Sequence, residues 1–405
     1  MGFGMMGSCC CGGSSTIVVV SHDRYDTGGG VYASVTAYDG TSDSSGTLLW
    51  QYDLGLSDGG SNQWRAGHIR IDGDGNVYVA SWGIVSVGNY AGKLTKLDIN
   101  GTLQWNYTTE TTTNGNAGAA GAAQVRRACL SIMDDGNIVF SHPAEPTSTY
   151  IMSIVDSTGS LVSGIPYPGG SLPAISLVVC PIPALDVDSS GNIYFAPIVA
   201  GGEASDAVWK CDSSGNYSTQ YLNENHVHAL RVDRTNGNLF VALHHAAGSG
   251  AGGQWPATAG NRTIIRQIDC AAMTSDWNIT LSEMDSASGV NFSSCDPMGI
   301  GISADGSEVI GACTLFTNAG VQRARVYDVQ GNSTELTNWT AIPASAGFNA
   351  ASIDPVNGGR FFALYSSSAA ARIWKRDNTG AALWNAFSPA GLGTNSCYCI
   401  EAGNY

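Results

Sequence analysis

The residues most able to carry chemistry are four histidines within one short stretch of the chain. His226 and His228 begin one predicted strand, and His244 and His245 end the next. Alternate residues of a strand point to the same side, so the two rings of the H-x-H pair are neighbours. His226, His228 and His244 therefore predict a Zn, Ni or Cu site. The alternative is that these rings are hydrogen-bonded polar groups at the wet mouth of a channel, because no carboxylate is placed as a further ligand.

Other motifs of catalysis or cofactor binding are missing from the sequence. It has no Gly-x-Ser-x-Gly elbow, phosphate-binding loop, dinucleotide fingerprint or His-Glu-x-x-His pair. The run at residues 72–76 begins like a calcium loop but lacks the glycine and distal glutamate of an EF-hand, which favours a tight turn. No catalytic residue is therefore predicted, and no cofactor apart from the metal that the histidines could bind.

The eleven cysteines match no zinc-finger spacing. Cys9, Cys10 and Cys11 are consecutive in a Gly-rich N-terminal segment. Three adjacent thiols are costly to keep exposed, so we expect this segment to anchor the chain to a parent assembly by packing or by disulfides. A disordered terminus is the alternative. The scattered cysteines favour small buried hydrophobic residues, although Cys295 and Cys313 flank one predicted hairpin and could form a disulfide.

These residues belong to a sequence that repeats about every 40–55 residues. Each copy has four short runs of alternating apolar and polar residues, separated by turns rich in Asp, Asn, Ser and Gly, which is the pattern of antiparallel strands joined by hairpins. A four-stranded unit at this period predicts a β-propeller. Six complete units fall at about residues 67–110, 127–165, 182–222, 227–281, 297–340 and 348–387.

The two ends of the chain supply the remaining blade. Residues 15–55 contain three predicted strands and lack an innermost one, and residues 396–403 provide a strand for that place. The sequence thus predicts an all-β fold, a seven-bladed β-propeller with four-stranded antiparallel blades, whose ring is closed by a C-terminal strand in the first blade. The expected organisation is a Gly/Cys-rich tail at residues 1–14 and a single β-propeller domain at residues 15–405.

A short hairpin motif recurs at the outer edge of several units. It spans residues 39–50, 98–105 and 377–384, and each copy runs from an Asp to a Trp. This Asp-x-x-Gly-x-x-x-Trp hairpin resembles the quinoprotein-like (PQQ-type) propeller repeat and, less closely, the WD40 repeat. The resemblance implies a propeller fold and no particular cofactor. Because the Trp recurs at one repeat position, we expect it to pack blade against blade.

The predicted propeller has two unequal faces. The turns between first and second strands and between third and fourth strands are short, whereas the long segments gather on the opposite face. All seven histidines and three tryptophans outside the repeat fall on this long-loop face, and loops on a rigid scaffold commonly carry binding residues. The predicted binding face consists of Trp64, His68, Trp82, His142, His226, His228, His244, His245 and Trp255. The alternative is that the long segments are tolerated insertions.

Composition limits the partners. Charged residues make up 13% of the chain, only four residues are Lys, and the net charge is −15. Nucleic acid and anionic membranes both attract an excess of Lys and Arg, so neither is an expected partner. No apolar run approaches the ~18–20 residues of a membrane span, and the N-terminus lacks the basic and apolar regions of a Sec signal.

A polar, lysine-poor surface without an export signal indicates an extracellular or virion protein. We predict a non-enzymatic structural or recognition propeller of an extracellular particle, with a phage or virus-like virion component of the tail or surface as the specific case. Its partners would be other proteins of the assembly, and a glycan or a host receptor would be the bound target. The alternatives are a propeller enzyme, polysaccharide-active or quinoprotein-like oxidoreductase, and a bacterial cell-surface binding module.

Overall fold

The computed structural model describes most of the repeats as strands and tight turns. The described residues are 15–25, 31–41, 46–56, 63–86, 89–113, 128–143, 150–167, 184–196, 207–222, 226–245, 262–280, 292–317, 322–328, 346–355, 357–366, 372–377, 381–387 and 397–404. Within these ranges no helix has the length and apolar character needed to cross a membrane.

The described residues form 28 strands in seven antiparallel sheets. Sheet 1 contains, in order, β28 (Cys397–Asn404), β1 (Thr16–Tyr25), β2 (Val31–Asp39) and β3 (Leu48–Leu56). Sheet 2 contains β4 (Gln63–Ile71), β5 (Val77–Ser86), β6 (Asn89–Leu97) and β7 (Leu103–Thr108), with the short β8 (Thr112–Thr113) paired to β6. Sheet 3 contains β9 (Leu130–Ile132), β10 (Ile138–Ser141), β11 (Tyr150–Val155) and β12 (Leu161–Pro166).

The remaining sheets repeat this order of strands. Sheet 4 contains β13 (Ala184–Val187), β14 (Ile193–Ala196), β15 (Ala207–Cys211) and β16 (Tyr217–Leu222). Sheet 5 contains β17 (His226–Asp233), β18 (Asn238–His245), β19 (Arg262–Asp269) and β20 (Ser275–Thr280). Sheet 6 contains β21 (Phe292–Ile302), β22 (Val309–Thr317) and β23 (Gln322–Asp328). Sheet 7 contains β24 (Ala346–Ile353), β25 (Arg360–Ser366), β26 (Arg372–Arg376) and β27 (Ala382–Phe387).

The sheets correspond to the predicted repeat units. Six of them contain four strands or more, so the all-β fold with four-stranded antiparallel blades is confirmed, but six complete blades are seen rather than the predicted seven. Sheet 6 has three strands among the described residues, and the segment predicted to supply its fourth strand, at residues 329–340, lies outside them. The predicted tail at residues 1–14, with Cys9, Cys10 and Cys11, also lies outside the described residues.

The tight turns form because an Asp at the end of one strand binds the backbone N–H groups that follow it. The N–H groups of Asp74 and Asn76 donate to Asp72 Oδ1 at 3.0 and 2.8 Å. Gly75 closes this turn in the left-handed region, with φ at 80°, which a residue with a Cβ rarely adopts. The tight turn predicted at 72–76 is therefore confirmed. The same Asp arrangement recurs at Asp98, Asp156, Asp188 and Asp212.

Neighbouring sheets pack against each other through apolar clusters. Ile17 and Val35 of sheet 1 belong to one cluster with Ile69 of sheet 2. Leu94 of sheet 2 and Phe140 of sheet 3 belong to another, and further clusters join sheets 3 and 4, sheets 4 and 5, and sheets 7 and 1. Strands β17, β21 and β24 contact one another in succession across sheets 5 to 7. Sheets 1 to 5, and sheets 7 and 1, thus bury apolar residues against their neighbours, as a propeller repeat requires.

The recurring tryptophans fasten one sheet to the next. Trp50 of β3 donates from Nε1 to Ile99 O of sheet 2 at 2.8 Å, and its ring covers Gly101. Trp105 of β7 donates to Ser157 O of sheet 3 at 3.0 Å. We call these two contacts the tryptophan latches. They confirm the expectation that tryptophan at this repeat position packs blade against blade.

The innermost strand of sheet 1 comes from the far end of the chain. β28 pairs antiparallel with β1, with Ala402 opposite Val18 and Ile400 opposite Val20. β28 also contacts β4 and β24, the innermost strands of sheets 2 and 7. The strand predicted at residues 396–403 is thus present beside β1.

Several cysteines behave as small buried apolar residues, as expected. Buried free thiols are present at Cys129, Cys211, Cys270, Cys397 and Cys399. The register of β21 with β22 places Cys295 opposite Leu315 rather than opposite Cys313. The β-bulge that follows Asp296 in β21 sets this register, and the pairing therefore does not support the predicted disulfide.

Candidate functional site

The innermost strands of the seven sheets share one position that is polar or charged in most of them. Strand pairing defines it: Arg70 lies opposite Tyr78, and Asp186 lies opposite Tyr194. Ile69 and Val187, which are adjacent in sequence to this position, belong to apolar clusters. Strand alternation therefore turns the shared position away from those clusters. We call it the inner position, and its residues are Arg70, Ser131, Asp186, Arg231, Gly301, Ser352 and Glu401.

Glu401 joins two arginines that come from different sheets. Its carboxylate oxygens both lie 3.3 Å from Arg231 Nη2, and Oε2 lies 3.5 Å from Arg70 Nη1. Burial alone would lower the pKa of Arg231, but Glu401 and Asp186 raise it above its ordinary value. Arg231 is therefore charged, and the residues of sheets 1, 2 and 5 meet at one carboxylate.

Asp186 is the second carboxylate of the site and is buried. Its Oδ1 accepts the hydroxyl of Ser131 at 2.6 Å and the N–H of Val187 at 3.0 Å, and its Oδ2 accepts the N–H of Val232 at 2.9 Å. Burial would raise the pKa of Asp186, but Arg70 and Arg231, together with neighbouring donors, lower it below its usual range. Asp186 is therefore ionised and fixed in place by its three donors.

The polar contacts described for Arg70 are all made by its Nη1. Its Nη1 donates to His68 Nε2 and to Ile69 O, each at 3.0 Å. A guanidinium has no acceptor, so His68 Nε2 accepts and the proton of this ring lies on Nδ1, which is 3.0 Å from Leu130 O. Burial and the charge of Arg231 lower the pKa of Arg70. The Nη2 of Arg70 is buried and has no hydrogen-bond partner among the described residues.

A polar cavity of about 260 Å³ opens beside these side chains. Arg234 fixes its wall, because Nε donates to Val187 O at 3.1 Å and Nη1 pairs with Asp134 at 2.9 Å. Its lining includes the ends of the innermost strands and the turns that follow them, so it lies on the short-turn side of the molecule. The lining residues are Arg70, Ile71, Ser131, Ile132, Asp186, Arg231, Val232, Asp233, Arg234, Thr235, Ile302, Ser303 and Ala304.

Three of the predicted binding-face residues pack against other residues of the fold. His142 is fully buried, with Nε2 2.9 Å from Ser153 Oγ and Nδ1 2.8 Å from Pro143 O. His142 directly follows β10, and its ring lies 5.3 Å from that of Phe140, so the fold encloses this ring. Trp64 is half-buried, and its ring lies 4.0 Å from Lys93 Nζ. Trp82 is also half-buried and packs against the cluster between sheets 2 and 3.

The histidine group that suggested a metal site is only partly described. His226 begins β17 and lies opposite His244 of β18, which agrees with the expected juxtaposition. The side chains of His226, His228, His244 and His245, and the whole of Trp255, lie outside what the structure describes. Among the described residues, no group of three or more His, Cys, Asp or Glu side chains is placed to hold a metal ion. Metal binding by His226, His228 and His244 stays a prediction.

Of the predicted site residues, His68 belongs to the charge cluster, whereas Arg70, Asp186, Arg231 and Glu401 were missed. A signal was present in the sequence. The repeats align at the turn that ends each innermost strand, and two residues earlier three of the six hairpin units carry a charged residue. In a chain with only 13% charged residues, charge at a strand position with buried neighbours points to a candidate site.

Comparison with known proteins identifies the fold of this chain but not its activity. No protein-family model matches the chain, and no curated protein matches its sequence. The periplasmic gluconolactonase of Pseudomonas aeruginosa is similar in structure, with a TM-score of 0.55 and 12% sequence identity, over 96% of this chain and 99% of that one.

Two further structures have a TM-score of 0.50. A chain of the mitotic checkpoint complex is 13% identical over 89% of this chain and 90% of that one. Chaetomium thermophilum Raptor is 11% identical over 85% of this chain and 27% of that one. At such identities the likeness concerns the fold alone. The resemblance to propeller repeats seen in the sequence is thereby confirmed, and the chain is an all-β propeller with four-stranded antiparallel blades.

Proposed function

We propose that this protein is a non-enzymatic recognition propeller that binds its target in the cavity beside Arg70, Asp186 and Arg231. The buried charge cluster is the observation behind this function. Buried ion pairs contribute little net stability because desolvation offsets their attraction, and the packing between sheets rests largely on apolar clusters. Charges held at the edge of a cavity are instead typical of a binding site.

Binding without chemistry is favoured by the state of the two carboxylates. Asp186 accepts three hydrogen bonds from fixed donors, and Glu401 is paired with Arg70 and Arg231. A general base works best when its pKa lies near the operating pH, and the pKa of Asp186 is lowered below its usual range. Both oxygens of Glu401 already face the arginines.

The test is a ligand screen with the full chain. A panel of sugars, sugar acids, small carboxylates, phosphates and peptides is scored by the shift in melting temperature, and hits are measured by calorimetry. Saturating ligand should raise the unfolding free energy by about 3 kcal/mol at a hundredfold excess over Kd. Binding should be lost in Arg231→Gln, and mass spectrometry should recover the ligand unchanged. Conversion of the ligand, or hits that survive Arg231→Gln, would overturn the proposal.

We further propose that the seven sheets form one closed, seven-bladed ring with β28 innermost in the first blade. The pairing of β28 with β1 and its contacts with β4 and β24 support this arrangement. Hydrogen bonds between sheets 1 and 7 support it as well. The N–H of Ala402 donates to Ser352 Oγ at 3.0 Å, and Thr16 Oγ1 donates to Asp354 Oδ2 at 2.8 Å.

We propose the location of the protein from its amino-acid composition. A net charge of −15 and a lysine-poor surface favour an extracellular or virion particle, with other proteins of the assembly as partners and a glycan or host receptor as target. In this arrangement the segment with Cys9, Cys10 and Cys11 anchors the propeller, and the long-loop face points outward to the glycan or host receptor. The cavity on the short-turn side then binds a small ligand or a group of a partner protein of the assembly. Mass spectrometry of purified particles tests the location. Removal of residues 2–13 tests the anchor, and normal assembly of that variant would contradict it.

A further inference from the structure

A buried nitrogen of Arg70, beside the cavity, lacks a hydrogen-bond acceptor among the described residues. Arg70 is only 7% exposed, and its Nη2 has no partner among the described residues, whereas its Nη1 is bonded to His68 and Ile69. Arg70 lines the cavity. A buried charged donor without a partner is costly, and the opening beside it is the place from which an acceptor can reach it.

The acceptors of the site, in contrast, are already occupied. Asp186 takes three hydrogen bonds. Asp233, which also lines the cavity, takes the N–H groups of Thr235 and Asn236 at 3.0 and 3.1 Å and the side-chain amide of Asn236 at 2.7 Å. Glu401 is shared by the two arginines. Each of these carboxylates is thus already bonded to donors of the protein.

The guanidinium groups of the lining favour a ligand with two coplanar oxygens. Arg70, Arg231 and Arg234 line the cavity together with Asp186 and Asp233, and the carboxylates of Glu401 and Asp134 pair with these arginines. A carboxylate supplies one negative charge and two oxygens that match the geometry of a guanidinium. The protein's own carboxylates already offset the three arginines, so a phosphate dianion would add more negative charge than a carboxylate, and a cavity of about 260 Å³ has room for a small group only.

Resting on the proposed binding function, we infer that the ligand is a carboxylate, bound by Arg70 Nη2 and Arg231 in this cavity. The carboxylate belongs either to a free small acid or to an acidic side chain or C-terminus of a partner protein. Both sources present the same group to the same two arginines.

The first experiment compares charged and neutral probes of equal size on the full chain. Propionate, propionamide and inorganic phosphate are titrated by calorimetry and by the NMR signals of the arginine side chains. Propionate should bind at least tenfold more tightly than propionamide and more tightly than phosphate, with the largest shift at Arg70. Equal binding of propionate and propionamide would overturn the inference.

A matched pair of variants separates binding from folding. Arg360 is also buried, has one unpartnered nitrogen and pairs with Glu308, but it lies in sheet 7 and not in the cavity lining. Arg70→Met should weaken propionate binding at least tenfold, and Arg360→Met should leave it unchanged. Should Arg70→Met fail to fold, Arg70→Lys keeps the charge and loses the planar fork, and it should still weaken binding severalfold. Unchanged binding in a folded Arg70 variant would overturn the inference.

Peptides show whether the carboxylate comes from a free acid or from a partner protein. The wider ligand panel separates failure of the carboxylate inference from failure of the proposed binding function. A peptide with a free C-terminal carboxylate that binds at least a hundredfold more tightly than propionate, and loses this on amidation, indicates a partner protein, whereas equal or weaker binding indicates a free acid. A neutral sugar that binds and is lost in Arg231→Gln would leave the proposed function standing and refute the carboxylate. Absence of any binding by the panel would refute both.

Discussion

The protonation of Lys93 makes the contact between sheets 1 and 2 depend on pH. Its Nζ donates to Leu54 O of sheet 1 at 2.6 Å and lies against the ring of Trp64. Burial lowers the pKa of Lys93 to about 8, well below the ordinary value of about 10.4 for a lysine. The side chain therefore holds its proton less tightly in the folded chain than in the unfolded one.

This difference gives the pH dependence a definite sign. Between pH 8 and the ordinary lysine pKa, the unfolded chain binds a proton that the folded chain has released, so the unfolding free energy rises with pH. We expect the wild type to gain roughly 1–3 kcal/mol over this range relative to Lys93→Met. Denaturant unfolding from pH 7 to 10.5 measures the gain. Since the chain has four lysines, ¹³Cε signals can also be titrated, and a Lys93 midpoint above pH 10 would contradict the prediction.

The histidine group leads to a prediction about the metal content of the protein. If His226, His228 and His244 hold a transition metal, tag-free protein should contain close to one equivalent by elemental analysis. His228→Ala should lose it, because three ligands are the fewest that hold such an ion firmly. His142→Ala is the control, since that ring is buried and bonded to Ser153. Metal-free wild-type protein would leave only polar rings at a channel mouth.

At the scale of elements, the tryptophan latches are the simplest contacts between sheets. Trp105→Ala should lower the unfolding free energy by about 2–3 kcal/mol, because ring packing and the hydrogen bond to Ser157 are both lost. Trp105→Phe keeps most of the packing and should cost about 1 kcal/mol. Equilibrium unfolding in guanidinium measures both values. An equal loss in the two variants would show that the hydrogen bond, and not the ring, fastens the sheets.

Sheet 3 offers the reverse experiment. Ser163 occupies the latch position there, and its hydroxyl is only 3.3 Å from Ser213 O. Ser163→Trp should supply the missing ring against sheet 4 and raise the melting temperature by a few degrees. Ser160→Trp, in the turn before β12, is the control and should not raise it. A lower melting temperature for Ser163→Trp would mean that sheets 3 and 4 lack the space that sheets 1 to 3 provide.

Strands and turns could be predicted from the sequence because their causes are local. The apolar runs of β14 and β18 and the Asp-led turn at Asp188 each lie within ten residues, and the pairing of β28 with β1 followed from one missing strand. The charge cluster could not be read in this way. Arg70, Asp186, Arg231 and Glu401 come from four sheets, so their contacts exist only once those sheets pack. A comparison of the repeat units with one another would have indicated this cluster, because its residues share the inner position of their units.

For the whole molecule, β28 makes a strong prediction about stability. Deleting residues 394–405 removes the strand that pairs with β1, the buried residues Cys397 and Ile400, and the carboxylate of Glu401. Arg70 and Arg231 would then face each other without that carboxylate, and sheet 1 would expose an unpaired edge. We expect a fall in melting temperature of at least 10 °C or a failure to fold.

The control is a deletion at the other end of the chain. Removal of residues 2–13 spares β1 and should leave the melting temperature within about 2 °C of the wild type. Calorimetry compares the two variants with the intact chain. Deletion of 394–405 without loss of stability would argue against the closed ring.

The pairing of the first strand with the last also bears on how the protein is made. A ribosome releases β1 first and β28 after every other described strand, so sheet 1 waits with an open inner edge throughout synthesis. Repeats in between can fold by packing against their neighbours, but the edge of β1 stays available to other chains until the end. A product that terminates early keeps that edge and is prone to aggregate. The order of the strands thus makes the synthesis of β28 the step that protects this edge.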